Sequence, residues 1–68
     1  MYNKYSIRRF VRTLKRAAAG DLRGWTLDYE LNNGLRRYRI KDAGGRMYDA
    51  YVYAGSVKIY DQDMKVIL

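Results

Sequence analysis

The stretch 6–19, Ser-Ile-Arg-Arg-Phe-Val-Arg-Thr-Leu-Lys-Arg-Ala-Ala-Ala, constrains the fold of this chain more than any other. Ile7, Phe10, Val11, Leu14 and Ala18 recur at helical spacing. At about 100° per residue they gather into one apolar stripe. Arg8, Arg9, Arg12, Lys15 and Arg16 fall on the other side. One side of this helix therefore needs a core to face, and the other is a strip of positive charge. The spacing predicts a helix over 6–19, capped by Asn3 or Ser6 and stopped by Gly20.

Little else is available to stabilise the fold. The chain has 68 residues, the length of a single small domain (1–68), with no cysteine and no histidine. Disulfides and the usual zinc sites are excluded, so packing, alone or with oligomerisation, carries stability. Hydrophobic residues make up 49%, too many for a disordered chain. No apolar run approaches the roughly 20 residues that span a bilayer. The first residues lack the apolar core of a signal peptide, so none is expected, and a cytoplasmic location is.

After Gly24 the apolar period changes from helical to two. Trp25, Leu27, Tyr29 and Leu31 alternate with polar residues, as in a half-buried strand over about 25–32. Asn33-Gly34 then predicts a two-residue type I′ hairpin. That loop sets Leu31 against Arg36, Glu30 against Arg37, Tyr29 against Tyr38, Asp28 against Arg39 and Leu27 against Ile40. One face then pairs apolar with apolar, and the other pairs acid with base twice. Further strands are expected at about 35–41, 46–53, 57–60 and 64–68. Gly55-Ser56 reads as a type II′ turn setting Val52 against Ile59 and Tyr51 against Tyr60. The expected fold is α+β: one N-terminal amphipathic helix packed on an antiparallel meander of four to five strands. Leu27, Tyr29, Leu31, Ile40, Val52 and Ile59 should lie under the helix. The 65–68 stretch reads as an exposed edge open to self-pairing.

Charge singles out the working surface. The net charge is +7, of which residues 1–23 carry +6 and residues 24–68 only +1. The five cations of the helix span about 12 Å of axis, enough to track three or four phosphates of a strand. Arg8 and Arg9 near the helix start oppose its dipole, which suggests a role outside the helix. A second candidate is the open sheet face, expected to show Arg37, Arg39, Lys41, Tyr51, Tyr53, Lys58 and Tyr60. Aromatics mixed with cations on a sheet suit stacked single-stranded RNA.

Catalysis has little to work with. No serine or threonine has a base beside it, and Asp28 and Glu30 are expected to be occupied by arginines. No cofactor and no metal site are expected. The layout is similar to that of small messenger-cleaving toxins, which set a helix against a strand meander and use Arg, Lys and Tyr for acid–base work. The size and basicity resemble those of small phage-encoded proteins that disable host machinery, CRISPR nucleases included. The reading is a non-enzymatic binding protein whose partner is anionic, nucleic acid ahead of an acidic protein surface. A phage-type inhibitor is the alternative, and a small ribonuclease comes third.

Overall fold

The structure, a computed structural model, describes the backbone from Lys4 to Leu68 and the side chains from Phe10 onward. Helix α1 (Lys4–Ala18) precedes four strands: β1 (Thr26–Glu30), β2 (Arg36–Lys41), β3 (Met47–Tyr53) and β4 (Ser56–Asp61). The strands form one antiparallel meander sheet in the order β1-β2-β3-β4, with α1 packed on one side, an α+β arrangement.

The helix starts before Ser6, so Ser6 is not its cap; Asn3 lies outside the described residues. Its far end closes as the sequence predicts. The Gly20 N–H donates to the Ala17 carbonyl at 2.9 Å and the Asp21 N–H to the Arg16 carbonyl at 2.8 Å. This is the Schellman pattern, with Gly20 in the left-handed region.

The inward stripe is buried Leu14 and Ala17 with half-buried Phe10, whereas Val11 and Ala18 are exposed. The helix is thus rotated by roughly 50° from the expected phase. Ala17 and Ala50 are both fully buried in one core cluster with Leu14, Trp25 and Ile59. Small residues there let the backbone approach the sheet, an advantage that hydrophobic spacing does not register. Phe10 sits on Tyr48 with ring centroids 4.8 Å apart.

The first hairpin departs from its expected register. The Gly34 N–H donates to the Leu31 carbonyl and the Leu31 N–H to the Leu35 carbonyl. The loop therefore has three residues, 32–34, with Gly34 left-handed at φ 94° and Asn33 not. That is a type I turn with a glycine bulge, in place of the type I′ turn. The Asn33 carboxamide oxygen accepts the Leu35 N–H at 3.0 Å and fixes it. A second irregularity falls between Leu27 and Tyr29, leaving Asp28 without a partner residue across the ladder. The observed partners are Glu30 with Arg36, Tyr29 with Arg37, Leu27 with Tyr38 and Thr26 with Arg39. Tyr29 consequently joins the face away from the helix, opposite to expectation.

The last hairpin also shifts, but by two residues, so its faces survive. Ala54 and Gly55 both have positive φ, a type I′ turn that sets Tyr53 against Ser56, Val52 against Val57 and Tyr51 against Lys58. Residues 64–68 form no strand. A single bridge joins Tyr60 and Val66, and the Ile67 N–H donates to the Ile59 carbonyl. The regular edge strand expected there is absent; β1, exposed at every residue, is the open edge instead. No helix among the described residues is long and apolar enough to cross a membrane.

Candidate anionic-partner interface

Burying Phe10, Leu14 and Ala17 leaves Arg12, Lys15 and Arg16 on the outer side of α1, all three exposed. None makes an ion pair among the described residues. Arg8 and Arg9 belong to the same helical backbone, one turn before Arg12, and their side chains lie outside the described residues. Arg16 and Lys15 also close the last helical turn, where cations suit the carbonyl end of the dipole.

Strand alternation gathers the second set of candidates on one face. Arg37, Tyr51 and Lys58 stand in one cross-strand row, with Tyr29 at its end. Arg39, Asp49 and Tyr60 stand in the next, ending at Thr26. Tyr53 and Lys41 extend this face at opposite ends. Tyr51 and Tyr60 meet edge to face at 5.4 Å between centroids.

The arginines of this face are occupied. The Arg37 guanidinium donates to the Asp28 carboxylate through Nε at 2.9 Å and also through Nη2, and lies 4.9 Å above the Tyr29 ring. Tyr51 and then Asp28 push the Arg37 pKa further up, so it is charged at any ordinary pH. Arg39 Nε donates at 2.8 Å to Asp49, a buried carboxylate. The expected pairs Asp28–Arg39 and Glu30–Arg37 are therefore replaced by Asp28–Arg37 and Asp49–Arg39. The three-residue loop and the bulge cause the exchange together: the loop sets Glu30 opposite Arg36, and the bulge leaves Asp28 beside Arg37. Lys41 and Lys58 are exposed and unpaired among the described residues.

Two basic surfaces thus lie on opposite sides of the sheet. One is a row of helix cations, of which Arg12, Lys15 and Arg16 make no ion pair among the described residues. The other is a tyrosine-rich face whose arginines are tied to acids. Sequence reasoning missed Tyr29 and the role of Asp49, since a bulge leaves no mark in an alternating pattern. Among the described residues no group of three or more acidic side chains is placed to hold a metal ion. Compared with protein-family models, with curated proteins and with solved structures, the chain matches none of them.

Proposed function

We propose that this protein is a small basic binding module that engages nucleic acid through the outer face of α1, without catalysing a reaction on it. One observation carries the reading. Arg12, Lys15 and Arg16 are exposed and make no ion pair among the described residues, while the sheet arginines Arg37 and Arg39 are held by Asp28 and Asp49. An unbalanced row of cations on a rigid helix gains most from a polyanion, because each phosphate neutralised releases condensed counterions. Four of the five helix cations of this row, Arg8, Arg9, Arg12 and Arg16, are arginines, so fork-like contacts to phosphate predominate.

The test is direct binding of a short labelled duplex, followed by fluorescence anisotropy from about 50 to 200 mM salt. With three to five phosphates neutralised, log K should fall against log[salt] with a slope between about −3 and −4.5. The probe should remain intact on a denaturing gel. Absence of salt-dependent binding overturns the reading in favour of an acidic protein partner, and a cleaved probe overturns it in favour of a ribonuclease.

A further inference from the structure

The open sheet face carries a feature that the helix reading does not use. Tyr51 and Tyr53 are two residues apart on β3 and point to the same side. Two residues of strand advance about 6.8 Å, twice the rise of about 3.4 Å per nucleotide along the axis of a duplex. Bases resting on both rings are therefore pulled apart from each other, which a paired and stacked duplex does not permit. Tyr53 is half exposed, and Tyr60 adds a third ring against Tyr51.

Charge on this face favours an anion. Arg37, Arg39, Lys41 and Lys58 stand against Asp28 and Asp49, leaving two positive charges in excess, and the two lysines are the free ones. Lys58 is the cross-strand neighbour of Tyr51. Lys41 lines an open depression of about 270 Å³ with Arg39, Met47, Ile40, Thr26 and Gly24, at the other end of β3 from Tyr53. A strand running along β3 meets rings at one end and this basic hollow at the other.

We propose that the open sheet face is a second binding surface, for single-stranded nucleic acid. Tyr51, Tyr53 and Tyr60 stack unpaired bases, and Lys58 and Lys41 contact the intervening phosphates. This surface is separate from the helix face and takes a different form of the polymer. Stacking on aromatic rings tolerates any base, so the preference is for unpaired strands over duplex and not for a sequence.

The experiment compares a labelled oligothymidylate with a short duplex, by anisotropy at about 150 mM salt, where charges beyond roughly 8 Å are screened. Tyr53→Leu keeps an apolar strand residue and removes the ring; Tyr53→Phe keeps the ring. Loss of one stack should weaken single-strand binding about five- to 150-fold. The Phe variant should stay within a few-fold of the parent, and duplex binding should not change in either. Lys58→Ala, at an exposed position, should also weaken single-strand binding and lower its salt slope by about 0.7. Circular dichroism melts of each variant separate unfolding from lost contact. The proposal is overturned if the parent does not bind oligothymidylate, or if folded Tyr53→Leu and Lys58→Ala bind like the parent. Equal losses in the Leu and Phe variants overturn it too, because the hydroxyl and not the ring is then the contact. Failure of the helix reading has a different signature: no duplex binding, with single-strand binding intact.

Discussion

Met64 takes the same left-handed backbone position in the turn after β4 that Gly45 takes between β2 and β3. The two turns are built alike. Asp42 N–H donates to the Arg46 carbonyl and Gly45 N–H to the Asp42 carbonyl; Asp61 N–H donates to the Lys65 carbonyl and Met64 N–H to the Asp61 carbonyl. In each, the leading aspartate Oδ1 accepts two backbone N–H groups at 2.9 Å, from Gly44 and Arg46 or from Asp63 and Lys65. The Leu31 turn has the same backbone pattern with Gly34 in this position. Of these three turns only the last has a side chain where φ is positive, at 65°.

That difference predicts a stabilising substitution. A left-handed non-glycine residue costs about 1–2 kcal/mol, and glycine gives back about 0.5–1 kcal/mol through its unfolded-state entropy. Met64 is 63% exposed, so its side chain contributes little packing. Met64→Gly should therefore stabilise by about 0.5–1 kcal/mol and raise Tm by several degrees, at roughly 4–8 °C per kcal/mol for a domain of this size. Trp25, buried and the one tryptophan of the chain, gives the melt by fluorescence. An unchanged or lowered Tm would show that the Asp61 turn carries no such strain.

The phase of α1 makes a paired prediction. Leu14 is 8% exposed and Val11 41%. Leu14→Ala should cost about 2–5 kcal/mol, enough to unfold much of a small domain. Val11→Ala should change stability by no more than about 0.5 kcal/mol, as for an exposed residue. Comparable losses at both positions would restore the stripe that the sequence spacing alone suggests.

Legibility in the sequence followed the strength of each local signal. Gly20 ends the helix because a glycine there has one economical conformation, and the meander follows from clear period-two segments separated by turn residues. Asn33-Gly34 marked a turn without fixing its length. Gly34 is left-handed in either loop, and the choice depends on whether Asn33 adopts positive φ or bonds the Leu35 N–H. It does the latter, so the register moves and the acid–base pairs change partners. The helix phase was misplaced because Ala17 contributes close approach more than hydrophobicity. On the sheet face the side-chain alternation placed Arg37, Arg39, Tyr51, Tyr53, Lys58 and Tyr60 together, since a shift by two residues leaves faces unchanged. That Arg37 and Arg39 are paired with acids was legible, but that the acids are Asp28 and Asp49 in place of Glu30 and Asp28 was not, because it rests on the bulge at Asp28 and the burial of Asp49.

The loop between α1 and β1 has a pH signature. Arg23 donates to the Asp21 carboxylate through Nε at 3.0 Å, Nη2 at 2.9 Å and its backbone N–H at 3.2 Å. These bonds lower the Asp21 pKa from 3.8 to about 2, the side-chain bond of Arg23 first. A depressed folded-state pKa means that the contribution is complete above the unfolded value of 3.8 and is lost as pH falls through about 2. Because the pair is solvent-exposed, its effect on global stability should be slight. Carboxyl carbon NMR should place the Asp21 midpoint near 2, and Arg23→Ala should return it towards 3.8. A midpoint that Arg23→Ala leaves unmoved would assign the depression to another cause.

The helix face is tested by reversing its charge. Arg12 and Arg16 are one turn apart on the exposed side of α1 and make no ion pair among the described residues. Arg12→Glu with Arg16→Glu should keep the Trp25 melt within about 1 kcal/mol of the parent, since exposed charges couple weakly to folding. Some of that change is expected from Arg16, because a carboxylate near the carbonyl end of the helix is disfavoured by about 0.3–1 kcal/mol. Duplex affinity should collapse at moderate salt, as two attractive contacts become repulsive. Neutral replacements, Arg12→Gln with Arg16→Gln, remove the attraction alone and should flatten the slope of log K against log[salt] by about two. Affinity and slope both unchanged in the folded variants would remove α1 from the nucleic-acid interface and leave the sheet face as the remaining basic surface. Lost affinity with an unfolded variant would instead mean that these arginines support the fold, against their exposure in the structure.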